Sequence, residues 1–173
     1  RAFDVLKKVA SIHANNTAMG ERLETRKFNR QQKSTHNSFL DITENPKDSI
    51  EVQLETVDGY AAKNSVSHID FMKIDVEGWE YFVLKGAEGL LNKGSIDYIQ
   101  FEFSGATSLA RVFLKDFIDF LVPRGYILSR INPRWIEKVV YTSGKERFTL
   151  TNYLAIKKDI TLPANLKTKT EDF

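Results

Sequence analysis

The sequence predicts an α/β domain, with a doubly wound, mostly parallel sheet and a C-terminal antiparallel hairpin at one edge. Three observations lead there. Strand-like runs alternate with helices of ten to fifteen residues, the pattern of parallel βαβ units. The last two strands follow one another with no helix between them. The chain has 173 residues, a length that favours one domain with a sizeable core. No repeat of 20–50 residues is visible, and no run approaches the 18 apolar residues of a spanning helix.

Taken in order, residues 1–11 read as a short helix, with Phe3, Leu6, Val9 and Ala10 at helical spacing. Asn15, Asn16 and Gly20 break it. Residues 21–33 are polar and locally basic and read as a solvated surface. Residues 34–49 have loop composition. From Ile50 to Glu55, apolar and polar residues alternate as in a half-exposed strand, and a short helix begins at Thr56. Ile69–Ile74 is an apolar run of strand length. Trp79–Leu91 reads as one amphipathic helix containing Gly86 and Gly89, and Gly94 sits where a left-handed residue closes it. Ile96–Phe103 is a second buried strand. Leu109–Val122 is an apolar helix ended by Pro123 and Gly125. Strands at 125–131 and 148–156 follow, and the last residues form a polar, lysine-rich tail.

Composition removes several chemistries. With no cysteine, disulfides, thiolate zinc sites, Fe–S clusters and cysteine nucleophiles are excluded. Three histidines lack the spacing of a helical zinc motif. There is no phosphate-binding P-loop, nucleophile elbow or GxGxxG turn. A formal charge of +2 argues against a nucleic-acid or anionic-membrane binder.

The densest chemical signal is the run Lys73-Ile74-Asp75-Val76-Glu77-Gly78-Trp79-Glu80, an apolar strand ending in two carboxylates and a glycine before a helix. In open α/β sheets, ligands bind beyond the carboxyl ends of strands. Asp75 sits at such an end, and Glu77 lies near a helix start, where the dipole favours an anion. Either could instead serve as a helix cap, a reading with more weight for Glu77 than for Asp75, whose charge at a buried strand end is costly unless used. Glu102, near the end of the next strand, opens onto the same crevice if the two strands are neighbours. Its other reading is a pair with Arg111. Lys73 reads as an edge residue or the partner of an acid. His68 falls at the far end of its strand, where a structural role is expected. His36 and Asn37 lie in the polar loop, and Trp79 and Trp135 read as packing residues. Asp75, Glu77 and Glu102 could also hold Mg²⁺, whose hard oxygen ligands they resemble.

The string from Leu54 to Phe103 resembles the FkbM family of S-adenosylmethionine-dependent methyltransferases. The likeness rests on Leu54-Glu55-Thr56-Val57-Asp58, on Ile69-Asp70-Phe71-Met72-Lys73-Ile74-Asp75-Val76-Glu77-Gly78 and Glu80, on Leu84-Lys85-Gly86-Ala87, and on Phe101-Glu102. Residues 16–21 resemble a further family segment, and Phe3 to Val9 the helix before it. The resemblance implies a partial Rossmann-like class I methyltransferase fold over residues 1–160, with 161–173 as a tail. It implies catalytic Asp75, Glu77 and Glu102, a cofactor pocket bordered by Ala18, Met19 and Asp75, and no metal. The implied reaction is S-adenosylmethionine-dependent O-methylation of a small-molecule or sugar hydroxyl in the cytoplasm. Nucleic acid and membrane are not expected as partners, and a homo-oligomer is compatible with an exposed sheet edge. The family's opening glycine-rich strand turn and its ribose-binding acid have no counterpart here. The chain is expected to start after both, about 60–90 residues into the family pattern. The alternative expectation is a non-catalytic α/β module, a degenerate methyltransferase half that binds a partner.

Overall fold

The computed structural model describes residues 12–30, 38–40, 48–162 and 168–169. The expected N-terminal helix, most of the 34–49 loop with His36 and Asn37, and most of the polar tail lie outside them. The described elements are β1 (Ala18–Met19), β2 (Glu24–Arg30), β3 (Asp48–Glu55), α1 (Val57–Lys63), β4 (Ile69–Ile74), α2 (Glu80–Lys85) and α3 (Glu88–Asn92). There follow β5 (Ile96–Phe103), α4 (Gly105–Leu109), α5 (Leu114–Leu121), β6 (Tyr126–Ile131), β7 (Ile136–Lys138) and β8 (Thr151–Lys157).

These strands build two sheets, ordered β1-β3-β2 and β4-β5-β8-β6-β7. In the larger sheet only β4 and β5 run parallel, with Ile74 opposite Phe101. The pairs β5–β8, β8–β6 and β6–β7 are antiparallel. The expectation of a mostly parallel sheet is therefore corrected to a mixed one. The two late strands do pair antiparallel, but they are not an edge hairpin: β8 inserts between β5 and β6, and the edge is β7. With partners on both sides, β5 and β8 sit mid-sheet, where apolar residues on both faces are covered. Ile96, Ile99, Phe101, Phe103 and Ala155 accordingly have no exposed surface.

The basic segment read as a solvated surface is in part β2, paired antiparallel with β3 from Glu24↔Leu54 to Arg30↔Asp48. Its polar side chains hide the strand from a periodicity argument, since cross-strand pairing decides its state.

Neither expected long helix forms over its whole span. The first ends as α2 at Gly86 and resumes as α3 after Ala87. A Cβ at Gly86 would lie 2.0 Å from the carbonyl oxygen of Gly20, so only glycine permits that backbone approach. Asp58 then caps α3, accepting from the N–H groups of Gly89 (2.6 Å) and Leu90 (2.9 Å). The second, expected from Leu109, starts only at Leu114 as α5; α4 before it ends at Leu109, and Arg111 between them has φ 57°. Ser104 and Thr107 form a capping box at α4. Glu146 caps α5 from a distant loop, accepting from Leu114 N and Lys115 N at 2.9 Å each. Gly94 does close α3 in the left-handed region, with φ 63°.

Helices α2, α3 and α5 bury Val83, Leu84, Leu91, Leu114, Phe117 and Leu121 against the sheet. Phe117 stacks on Phe101 with centroids 4.4 Å apart and planes 5° from parallel. This core fixes the height of the β4 and β5 ends, where the site forms.

Candidate functional site

The carboxyl ends of β4 and β5 face the smaller sheet across an open cleft of about 960 Å³. Its floor is the β4 end from Met72 to Asp75, with Val76 and Glu77 beyond it. Ala18 and Met19 of β1 form one wall. Glu102 of β5 closes the acidic side, and Phe28, Phe39, Val57 and Val83 give the cavity apolar surface. The five residues expected at the site (Ala18, Met19, Asp75, Glu77 and Glu102) thus line one cavity, although they come from two strands, β1 and β5, and the turn after β4.

The turn after β4 is tightly specified. Glu77 has φ 55° and Gly78 φ 95°, two consecutive left-handed residues that reverse the chain before α2. A Cβ at Gly78 would lie 2.7 Å from the carbonyl oxygen of Ala106. Ser38, 1% exposed, donates its hydroxyl to the Glu77 carbonyl at 2.8 Å and accepts from Leu40 N at 3.1 Å. The capping alternative for Glu77 and Asp75 does not hold. α2 starts later, at Glu80, and its N-terminus receives no side-chain cap. Asp75 instead pairs with Lys73, as one reading of that lysine expected. Glu102 forms no described pair with Arg111.

A fourth carboxylate organises this turn from below. Glu80 is 1% exposed, and its Oε1 accepts from Val76 N at 3.0 Å. Its Oε2 has no hydrogen-bond partner among the described residues. Burial pushes its pKa up to about 7, against opposing backbone hydrogen bonds led by Val76. Glu102 is raised as well, by burial first and then by the charges of Glu77 and Asp75. The cleft therefore gathers three carboxylates against one lining cation, Lys73, which pairs with Asp75. A cation-bearing ligand with an apolar body suits such a surface.

Sequence reading placed Glu80 only within the family string and gave it no role. The signal was there: positions 80, 84, 87 and 91 recur at helical spacing, and the last three are fully buried. Trp79, expected to pack, is 4% exposed, stacks on Phe82 at 4.0 Å and lies under the Arg26 guanidinium at 4.2 Å. Trp135 is more exposed than that expectation, at 36%.

The magnesium reading gains no three-ligand cage here. Among the described residues, the one group of three His or carboxylate ligand atoms within 4.8 Å of one another is His68, Asp70 and Asp97. That group lies at the other end of β4, where His68 Nε2 and Asp97 Oδ2 are 3.0 Å apart.

Comparison with protein families decides the lineage. The model of the methyltransferase FkbM domain matches residues 6–128. The chain belongs to that family. Searches of curated proteins and of solved structures found no match. The FkbM match spans all five cleft residues and ends within β6, so β7 and β8 lie beyond it. Family membership makes methyl transfer the chemistry to which this cleft is referred. Among the described residues, no helix is long and apolar enough to cross a membrane.

Proposed function

We propose that this FkbM domain is an S-adenosylmethionine-dependent O-methyltransferase acting on a hydroxyl of a small molecule or sugar. The cytoplasm and a partial Rossmann-like fold over residues 1–160, without the family's opening cofactor-binding βα units, belong to the same reading. One observation carries it: Asp75, Glu77 and Glu102 meet Ala18 and Met19 around a single cleft.

The residues present suit the donor. Its sulfonium and ammonium charges call for carboxylates, and its adenine calls for an apolar wall such as Met19, Phe39 and Val83 provide. When bound, S-adenosylmethionine supplies an electrophilic methyl group. The chain's residues do the rest. Asp75 and Glu77 hold the positive charge and fix its orientation. Glu102, whose raised pKa brings it nearer neutrality, accepts the proton of the acceptor hydroxyl as its oxygen is methylated. The apolar walls exclude water and hold acceptor oxygen and methyl carbon in line, an entropic contribution.

Calorimetric titration of the protein with S-adenosylhomocysteine tests the reading. Asp75→Ala is expected to weaken binding about tenfold, or ~1.4 kcal/mol. Unchanged affinity in that variant would remove the assignment, and absence of any affinity in the parent protein would favour a non-catalytic binding module.

A further inference from the structure

A second cavity lies at the same end of the large sheet and has the opposite character. It measures about 260 Å³ and is lined by Arg130, Lys138, Lys145 and Arg147 against one carboxylate, Glu137. The chain as a whole carries a formal charge of only +2, so this small volume gathers a strong local excess of positive charge. The hydroxyl-bearing residues Thr149, Thr151 and Tyr153 also line it.

The local chemistry keeps Arg130, Lys145 and Arg147 available. The acid of their own loop, Glu146, is committed elsewhere: it caps α5 and accepts from the Tyr141 hydroxyl at 3.1 Å. That commitment also ties the loop carrying Lys145 and Arg147 to a rigid helix end. Arg130, Lys145 and Arg147 are exposed and make no side-chain ion pair with a described residue. Glu137 stands directly across from Arg130 in the β6–β7 register, and Lys169 approaches it at 3.8 Å.

Sheet register puts the pocket and the cleft at one end of the sheet but on different faces: Thr151 pairs with Phe103 and Arg130 with Tyr153, whereas Glu102 pairs with Asn152. A surface depression of about 380 Å³ between the two contains Arg130 and Thr151 from the basic pocket and Leu150 from the acidic cleft. The track from the carboxylates to the cations therefore passes over the strand ends, by way of the shared lining residue Leu150.

We propose that the basic pocket holds a phosphate-class oxyanion carried by the methyl acceptor, which reaches along this track into the cleft. The inference rests on the methyltransferase reading. Guanidinium groups supply the planar paired donors that recognise such an oxyanion. An acceptor held at its anionic end cannot be confused with the cationic donor, because the two sites repel each other's ligands.

The test is calorimetric titration of the 173-residue chain, without methyl donor, using inorganic phosphate, glucose 6-phosphate and glucose. Saturable binding of both phosphates, tighter for glucose 6-phosphate, with none for glucose, is the expected result. Arg147→Gln and Arg130→Gln each weaken it at least tenfold, whereas Lys93→Gln leaves it unchanged; melting temperatures confirm that all three variants fold. No saturable binding, or equal binding by the Arg130 and Arg147 variants, overturns the site. Inorganic phosphate bound as tightly as glucose 6-phosphate overturns the acceptor assignment and leaves a free-anion site. Because no donor is present, these outcomes are separate from the S-adenosylhomocysteine titration that tests the cleft.

Discussion

The two ends of the β4–β5 pair carry the same residue types and treat them in opposite ways. At the leading end, His68, Asp70 and Asp97 meet near solvent, and the His68–Asp97 contact has side chains 46% and 18% exposed. At the carboxyl end, Glu80 is sealed in the core and Glu102 is held above its ordinary pKa by burial and like charge. The contrast teaches that a carboxylate count says little. What distinguishes the candidate site is carboxyl groups whose protons are held by desolvation and like charge, a perturbation that clusters at functional sites.

The sharpest way to break this comparison is a pH series on Glu80→Gln. The folded state holds the Glu80 proton more tightly than the usual 4.5, up to about 7, so this group favours folding increasingly as pH falls through that window. The difference in unfolding free energy between parent and variant should change by on the order of 3 kcal/mol between pH 8 and pH 4. A flat difference would show that the cleft end is no more strained than the solvent end. Gly78→Ala comes next. A side chain in the left-handed region, clashing with the Ala106 carbonyl, should cost about 2 kcal/mol in chemical denaturation and loosen S-adenosylhomocysteine binding. Full stability and affinity in that variant would mean the turn is not specified by its backbone. The smallest effect belongs to the leading end: His68→Gln should change stability by less than about 1 kcal/mol, as exposed ion pairs do. A larger loss, or metal-dependent melting, would give that end a role of its own.

Much of the parallel pair was legible because its information is local. Ile69–Ile74 and Ile96–Phe103 are mostly apolar runs of strand length, rich in β-branched and aromatic residues, and both strands form over those spans. What stayed hidden depends on contacts distant in sequence. β2 is polar and exists through its pairing with β3. The break at Gly86 follows from the approach of Gly20, and the entry of β8 between β5 and β6 is a matter of tertiary order. At the site, the positions of Asp75, Glu77 and Glu102 followed from strand ends, which is how α/β sheets present ligand-binding residues. Glu80 was missed because a glutamate in a first helical turn ordinarily faces water, and here the buried stripe runs through it. The basic pocket drew no attention because its cations are spread from residue 130 to residue 147 and converge only when β6, β7 and β8 assemble.

The junction of Gly20 with Gly86 bears on how such a cleft can change over evolutionary time. The segment bearing Ala18 and Met19 is anchored by main-chain means: Gly20 N–H donates to the Glu55 carbonyl at 2.9 Å, and its own carbonyl rests against the bare Cα of Gly86. Glu21 adds a tether to Lys85 at 2.6 Å. None of these attachments uses the side chains of residues 18 and 19. Ala18 can therefore drift in size and polarity, retuning what the cleft admits while the scaffold beneath it keeps its shape, whereas Met19 also packs against the core and is held to apolar residues.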